Sequence, residues 1–294
     1  MNSYIPHSLF RACLVLTIMF SNTLLAFELD HSALNQKIVE IEENLNGRVG
    51  VSIYDSAEKT QWHYNGNSRF PLMSTFKVLA CAKLLADVEK GVQSLDSSTI
   101  ITKGSLIVWS PITQKLIGKQ ITLKQGCSAT MITSDNTAAN IVLSGIEGPK
   151  GLTKFMRSIG DDVTRLDRIE PELNEAIAGD KRDTSTPNAM VNSLNTLLFG
   201  DVLSQRSKNQ LMQWMIDNEI TGSLFRSVLP VTWSIADRSG AGGNGSRGIV
   251  AVVWSKNISP IIISVYLTQT DAPFAIRNKA IASIGEEIFK IYMK

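Results

Sequence analysis

The sequence is poor in the features that bind transition metals or nucleic acids. It has three histidines and three cysteines in 294 residues, and His31 and His63 stand far apart without a zinc-binding spacing around them. The 29 Lys and Arg residues nearly balance the 27 Asp and Glu residues, so the net charge of +2 offers little to a polyanion. We therefore expect no metal site, no cofactor and no nucleic-acid partner.

Long apolar runs are also scarce, and the one near the start is too short to span a bilayer comfortably. It extends from Ala12 to Phe20, follows Arg11, and is followed by the polar Ser21 and the small Ala26. This pattern predicts a secretory signal peptide over residues 1–26, with a retained membrane anchor as the weaker alternative. We expect an exported protein without stable membrane association once the leader is removed.

Only two cysteines belong to the expected mature chain, which begins at about Phe27. Cys13 lies in the leader, at a position unsuited to lipid attachment, and is expected to leave with it. In an oxidising compartment, Cys81 and Cys127 most simply form one disulfide, which stabilises the fold by about 4 kcal/mol through the long loop that it closes. Two separate buried thiols are the alternative.

Strand-like segments lie near both ends of the chain, and helical segments lie between them. Helical periodicity covers residues 33–46, most of 74–217, and the segment from 275 onward. β-Branched and aromatic residues predict strands at 48–55, 61–65, 232–240, 248–256 and 260–269. We therefore predict an α+β fold, in which both chain ends form a five-stranded antiparallel sheet flanked by helices and an all-α subdomain is inserted between them.

This organisation predicts two subdomains in the mature chain. The α/β subdomain comprises residues 27–65 and 218–294, and the all-helical subdomain comprises residues 66–217. Because ligand pockets form preferentially between such units, we expect the functional site at their junction.

The segment MSTFKVLACAKLL, residues 73–85, places Ser74 three positions before Lys77 at the start of a helix. Both side chains then share one face of its first turn, where free backbone N–H groups favour a developing anion. Lys77 lies near the apolar side of the helix, where desolvation lowers the pKa of the amine and lets it accept a proton. A helix-start serine beside a solvated lysine is the alternative.

A second short pattern, Ser-Asp-Asn at residues 134–136, opens another helix. Serine and aspartate are also good helix caps, so a purely structural role stays open. Cys81 stands seven residues after Ser74, and Cys127 stands seven residues before Ser134. A disulfide would therefore bring the Ser134 hydroxyl towards Ser74 for proton delivery.

Residues 164–187 form a run of alternating charges with little apolar periodicity, which is typical of a solvated loop. Within it, the bond between Glu170 and Pro171 is a candidate cis peptide that would direct Glu170 inward. Asn174, four residues further on, is positioned to help Glu170 hold a water molecule.

The segment ADRSGAGGNGSRG, residues 236–248, reads as a strand that ends in glycines. Small residues there let a substrate approach the strand edge, although a tight turn explains them equally. Arg238 supplies a positive charge suited to a carboxylate, and Arg247 supplies a second one nine residues later.

These patterns occur together and in one order: Ser-x-x-Lys, Ser-Asp-Asn, Glu-Pro-Glu-Leu-Asn, and a basic residue before Ser-Gly. In this combination the chain resembles the class A serine β-lactamases over essentially its whole mature length. It is most similar to the carbenicillin-hydrolysing group, because Arg238 replaces the lysine that usually precedes Ser-Gly. The resemblance implies hydrolysis of the β-lactam amide bond of penicillins, carboxypenicillins and some early cephalosporins, and hence antibiotic resistance.

The resemblance also implies catalytic roles. Ser74 attacks the β-lactam carbonyl to form an acyl-enzyme, and Lys77 and Ser134 pass protons to the departing nitrogen. Glu170 and Asn174 activate the water that releases the product. The choice between Lys77 and Glu170 as the base that deprotonates Ser74 stays open.

Further positions follow from the same resemblance. The backbone N–H groups of Ser74 and Ala241 form an oxyanion hole. An ion pair of Arg168 with Asp183 closes the loop that carries Glu170. The implied substrate-binding residues are Trp109, Asn136, Arg238, Ser239, Gly240, Ala241 and Arg247.

The expected partner is therefore a small β-lactam substrate, and the expected protein is a periplasmic monomer. Two alternatives are weighed against it. A penicillin-binding D-Ala-D-Ala peptidase would stay acylated, but Glu170 and Asn174 argue against it. A non-catalytic β-lactam sensor would need a retained transmembrane segment and an output region, and the sequence indicates neither.

Overall fold

Strands from both ends of the chain form one antiparallel sheet. The computed structural model describes Met1 and residues 29–293, so the predicted leader lies outside the described residues apart from Met1. In chain order the strands are β1 (Arg48–Asp55), β2 (Thr60–Tyr64), β3 (Phe70–Pro71), β4 (Ser98–Ile100), β5 (Gln120–Thr122), β6 (Thr184–Ser185), β7 (Ser234–Ala241), β8 (Arg247–Trp254) and β9 (Ile261–Thr268). The main sheet has the order β2-β1-β9-β8-β7, which confirms the five-stranded antiparallel sheet.

Helices cover the sheet and fill the chain between its two halves. They are α1 (Ser32–Leu45), α2 (Phe76–Glu89), α3 (Leu123–Thr133), α4 (Asn136–Gly145), α5 (Gly148–Ser158), α6 (Pro187–Leu198), α7 (Gln205–Ile216) and α8 (Phe274–Tyr292). Helices α1 and α8 contact each other and the sheet, and α6 contacts β1 and β9. This arrangement confirms the α+β fold.

Helix α2 lies at the centre of the helical region. Every residue from Phe76 to Ala86 is buried, including Lys77 and Lys83, and the helix contacts α3, α4, α5 and α7. The sequence predicts one apolar stripe, but the helix is covered on all sides, as is typical of a core helix.

A disulfide joins α2 to α3. Cys81 and Cys127 are both fully buried, with an S–S distance of 2.16 Å and a Cα–Cα distance of 5.8 Å. The predicted pairing is confirmed, and the alternative of two separate thiols is wrong.

The region from 66 to 217 also contains elements that the sequence analysis does not anticipate. Helix α3 begins after Thr122, whose side chain accepts from the Gln125 backbone while the Gln125 side chain accepts from Thr122 N–H. A threonine followed three residues later by a glutamine is a helix-start signal that can be recognised in the sequence. Two short two-stranded sheets, β3 with β6 and β4 with β5, lie in the same region.

A short 3-10 turn, Met73–Thr75, contacts both β7 and β8, so the start of α2 lies against the edge of the sheet. Residues His31–Lys294 form one unit by their contacts, and the proposed boundaries after residues 65 and 217 stay a prediction. Within the described residues, we find no helix with the length and apolarity that crossing a membrane requires.

We predict that the double variant Cys81→Ala/Cys127→Ala loses about 2–4 kcal/mol in its free energy of unfolding, because the disulfide closes a loop of 46 residues. Urea denaturation of the variant and of the oxidised protein measures the difference. Reduced wild-type protein is the control and should match the variant. Equal midpoints for all three would show that the bridge contributes nothing.

Candidate active site

Ser74 is presented by a strained turn that several contacts hold in place. Met73, just before it, has φ 49°, a left-handed conformation that is unfavourable for a side chain of this kind. The Thr75 hydroxyl donates to Leu72 O at 2.6 Å and lies 3.0 Å from the Tyr266 hydroxyl. These buried hydrogen bonds fix the turn and leave the Ser74 hydroxyl at the junction of helix α2 and the sheet.

Strand β7 approaches this turn closely because it carries a glycine there. A Cβ atom on Gly240 would lie 2.6 Å from Met73 Cβ and 2.7 Å from Ser74 N, so no larger residue fits without a shift. The next residue, Ala241, ends the strand. The strand edge therefore runs directly beside the backbone N–H of Ser74.

Ser134 links the Ser74 hydroxyl to two cations. Its Oγ donates to Ser74 Oγ at 3.1 Å. It accepts from Lys77 Nζ at 3.0 Å and from Arg238 Nη2 in a very short contact. Because both accepted bonds occupy its lone pairs, the single Ser134 proton points at Ser74.

Lys77 lies fully buried among oxygen atoms from three residues on two segments. Its Nζ donates to Asn136 Oδ1 at 2.6 Å and to Ser134 O at 3.0 Å, and it lies 3.1 Å from Glu170 Oε1. Burial and, to a smaller extent, the nearby Arg238 charge lower the pKa of Lys77 to about 8, although the Glu170 carboxylate opposes both effects. Both protonation states of this amine are accessible near neutral pH, as a proton carrier requires.

Glu170 reaches Lys77 from the loop of residues 165–184, here named the Glu170 loop. The bond from Glu170 to Pro171 is cis, which confirms that prediction. Asn174 Nδ2 donates to Glu170 Oε2 at 2.5 Å. Asn174 Oδ1 is buried without a hydrogen-bond partner in the described structure, whereas Glu170 Oε1 is buried 3.1 Å from Lys77 Nζ. Both oxygens are acceptors that suit the O–H donors of water.

Asn140, which the sequence analysis misses, fixes the backbone of Glu170 from both sides. Its Oδ1 accepts from Glu170 N at 2.9 Å, and its Nδ2 donates to Glu170 O at 2.8 Å. Asn140 follows Asn136 by one helical turn on α4, so the two residues share a face. That spacing is the signal that could have identified it.

The base of the Glu170 loop is closed by buried charge. Arg168 Nε donates to Asp183 Oδ2 at 2.6 Å, and Asp183 Oδ1 accepts from the backbone of residues 167 and 168. Gly243 N donates to Asn174 O at 2.8 Å, which ties the loop to the turn after β7. The loop therefore has a fixed shape around Glu170.

A cavity of about 480 Å³ opens beside Ser74. Trp109 is 60% exposed at its rim, and its Nε1 donates to Thr133 O at 3.0 Å. The lining residues are Ser74, Val108, Trp109, Ser134, Asn136, Asn174, Ile220, Ser239, Gly240, Ala241, Arg247 and Phe274. The structure thus brings most of the predicted binding residues around one cavity, together with Val108, Ile220 and Phe274, which the sequence analysis does not single out.

The two arginines predicted to bind a carboxylate occupy different places. Arg247 lines the cavity, donates to Gly240 O at 2.8 Å and to Asn278 Oδ1 at 2.7 Å, and lies 5.0 Å from the centre of the Phe274 ring. Arg238 is fully buried behind Ser134 and is absent from the lining. Burial lowers the pKa of each guanidinium to about 10, so both stay charged at neutral pH.

Both ends of the Asn136 side-chain amide form hydrogen bonds within the protein. Its Oδ1 accepts from Lys77, and its Nδ2 donates to Val108 O at 3.0 Å. Asp135 beside it is a true helix cap, since its carboxylate accepts from the backbone N–H groups of Ala138, Ile112 and Thr113 at 2.8–2.9 Å. The capping role and the site therefore coexist in this segment.

Comparison with known proteins agrees with this geometry. Residues 33–292 match the β-lactamase enzyme family. The chain belongs to that family. β-Lactamase CARB-3 of Pseudomonas aeruginosa is 52% identical over 279 residues, which cover 95% of this chain and 97% of that protein. β-Lactamase AER-1 of Aeromonas hydrophila is 50% identical over 260 residues, which cover 88% of this chain and 86% of that protein.

Solved β-lactamases share the fold as well as the sequence. The chromosome-encoded β-lactamase of Vibrio parahaemolyticus has a TM-score of 0.87 and 52% identity, covering 89% of this chain and 99% of that chain. The class A β-lactamase of the last common ancestor of Gram-negative bacteria has a TM-score of 0.87 and 43% identity, covering 89% of this chain and 100% of that chain. The class A resemblance is confirmed, and this β-lactamase is a hydrolase with an active-site serine.

We predict that Lys77 titrates near pH 8, measured by the 13Cε chemical shift of the lysine side chain. Arg238→Met should raise this midpoint, because the Arg238 charge lowers the Lys77 pKa. The folded protein binds fewer protons at Lys77 than the unfolded chain does between about pH 8 and 10.5, so Lys77 makes stability rise with pH across that window. A wild-type midpoint near 10.5 would contradict the proposed effect of burial.

Proposed function

We propose that this β-lactamase hydrolyses its substrates through an acyl-enzyme on Ser74 that Glu170 and Asn174 resolve. One observation carries the proposal. A continuous series of contacts runs from Ser74 Oγ through Ser134 and Lys77 to Glu170, and it ends beside Asn174, whose Oδ1 is a buried acceptor without a hydrogen-bond partner in the described structure. The contacts among Ser74, Ser134 and Lys77 suit nucleophilic attack and proton transfer, and Glu170 with Asn174 suits the activation of water.

In the acylation step, Ser74 Oγ bonds to the β-lactam carbonyl carbon and the ring C–N bond breaks. The leaving nitrogen takes the Ser134 proton, and Lys77 replaces that proton through its 3.0 Å contact. The Ser74 proton passes to Lys77 or to Glu170, which lie 3.1 Å apart and share the same buried environment.

The oxyanion formed during this attack lies between the N–H groups of Ser74 and Ala241 in our proposal. The close packing of Gly240 on Ser74 N supports it, because it brings the strand edge beside the serine backbone. Fixed backbone donors stabilise a developing negative charge without reorganisation.

In the deacylation step, a water molecule donates to Glu170 Oε1 and Asn174 Oδ1. Glu170 removes one proton, the resulting hydroxide attacks the ester carbonyl, and the C–Oγ bond to Ser74 breaks. The proton returns to Ser74 Oγ. The Asn174 and Asn140 hydrogen bonds to Glu170 support this role, because they orient the carboxylate and its backbone.

Substrate carboxylates bind near Ser239 and Arg247, which line the cavity. Arg238 acts from behind Ser134, since its charge is buried there and two of its nitrogens have no hydrogen-bond partner in the described part of the chain. Together these charges favour penicillins with an additional carboxylate, in agreement with the similarity to carbenicillin-hydrolysing enzymes. Some early cephalosporins are secondary substrates.

We also propose that the protein is a periplasmic monomer and that it has no nucleic-acid partner. In this proposal its mature chain consists of the two subdomains that the sequence predicts. The predicted leader supports export. The near-neutral net charge of +2 argues against binding to a polyanion.

We predict that Glu170→Ala converts continuous turnover of a chromogenic cephalosporin or penicillin into a burst of one equivalent. Steady-state turnover should fall by about 10²–10⁴-fold, the usual contribution of a general base. Glu172→Ala, an exposed carboxylate two residues away, is the matched control and should turn over normally. A single burst from the wild-type protein would instead indicate a penicillin-binding peptidase or a sensor.

We predict that Arg238→Lys lowers turnover of carbenicillin relative to benzylpenicillin by about ten-fold, since a point charge replaces a planar group with several donors. The ratio of kcat/KM values for the two penicillins measures the effect and removes any general loss of active protein. An unchanged ratio would show that guanidinium geometry does not determine this preference.

A further inference from the structure

A second cavity, here named the loop cavity, lies between the Glu170 loop and the start of strand β1. Its volume is about 190 Å³, and residues 176–184 of the loop line it together with Arg48 and Arg69. Five basic and two acidic side chains contribute to the lining, which therefore carries a net charge of +3. A cavity of this size accommodates an ion of a few heavy atoms.

Both acidic side chains of the loop cavity already have cationic partners. Asp183 pairs with Arg168 at 2.6 Å, and Asp180 pairs with Arg182 at 2.7 Å. Three basic residues remain that form no ion pair with any carboxylate among the described residues: Arg48, Arg69 and Lys181.

Neutral partners hold the two arginines in place. Arg48 Nη2 donates to Arg69 O at 2.7 Å, and its guanidinium carbon lies 4.1 Å from the centre of the Phe70 ring. Arg69 Nη1 donates to Val163 O and to Thr184 Oγ1, both at 3.0 Å. Each guanidinium is half-buried and uses only one nitrogen in these bonds, so each retains N–H donors for a ligand.

The carboxylates whose charge acts on these arginines bond directly to other groups. Glu42 accepts from a backbone N–H at 2.7 Å and from a tyrosine hydroxyl at 2.6 Å, and Asp167 pairs with Arg165 at 2.5 Å. Burial lowers the pKa of both Arg48 and Arg69, and the charge of Arg165 lowers that of Arg69 further. Glu42 opposes this effect at Arg48, and Asp161 and Asp167 oppose it at Arg69. Carboxylates therefore act on Arg48 and Arg69 from their surroundings, but none among the described residues forms an ion pair with either arginine.

We propose that the loop cavity binds a free oxyanion of the phosphate class, held by Arg48, Arg69 and Lys181. Arginine suits such an ion because its fork of N–H donors matches two oxygens at once. Lys181 belongs to the loop, and the two arginines belong to the segments around β1 and β3. A bound ion therefore joins the Glu170 loop to the sheet, and this binding is independent of the catalytic steps proposed above.

Inorganic phosphate titrated into the full mature protein at constant ionic strength tests the proposal, with calorimetry and the melting temperature as readouts. Lys181→Glu should weaken the apparent Kd by about ten-fold or more, as expected when a charged hydrogen-bond donor is lost and repulsion replaces it. Lys119→Glu makes the same charge change at an exposed lysine outside the cavity and should leave the Kd unchanged. Arg48→Gln should also weaken binding.

Other results overturn the proposal. Absence of any phosphate response, or an equal response in the Lys181→Glu and Lys119→Glu proteins, would exclude a site in the loop cavity. Competition between phosphate and substrate, together with loss of the response in Arg247→Gln, would place the ion in the active-site cavity instead. Sedimentation with phosphatidylglycerol vesicles that Lys181→Glu abolishes would assign the phosphate to a lipid head group and exclude the free ion.

Discussion

The burial of one lysine amine is the constraint on which the site depends. Lys77 lies in a helix that is covered on all sides, where an ammonium group is stable only if oxygen atoms surround it. Those oxygens come from Ser134, Asn136 and Glu170, on segments far apart in the chain. The same contacts that compensate for burial therefore assemble the nucleophile, its proton relay and the carboxylate. Stability and site geometry are consequences of one set of hydrogen bonds.

The sequence predicts much of this arrangement, because its strongest signals are local. Periodicity and β-branched residues predict the sheet, and the four short patterns identify the residues that meet at Ser74. Periodicity underestimates the burial of α2, since a helix enclosed by four neighbours has no polar face to reveal its position. The two short sheets escape detection because strands of two or three residues carry almost no alternation.

Other features of the site depend on contacts between distant segments. In the sequence, Asn140 has no feature that distinguishes it from other helix residues. Its role depends on the Glu170 loop, whose backbone forms hydrogen bonds with both ends of the Asn140 amide. The sequence predicts that Arg238 binds the substrate, yet the fold places it behind Ser134. There it donates a hydrogen bond to the Ser134 hydroxyl and lowers the pKa of the Lys77 amine. The left-handed backbone conformation of Met73 could not be predicted from its residue type, because methionine does not favour that conformation. The surrounding buried contacts impose it.

The turn after β7 touches the Glu170 loop without any side chain between them. A Cβ on Gly242 would lie 2.8 Å from Asn174 O, and one on Gly243 would lie 2.4 Å from Glu175 O. Any larger residue at these two positions requires the loop or the turn to shift. In the proposed mechanism, a loop displaced outward gives bulky drugs more room and at the same time disturbs the carboxylate that releases the product. Adaptation to new antibiotics by this route therefore carries a built-in trade-off between breadth of substrates and catalytic speed.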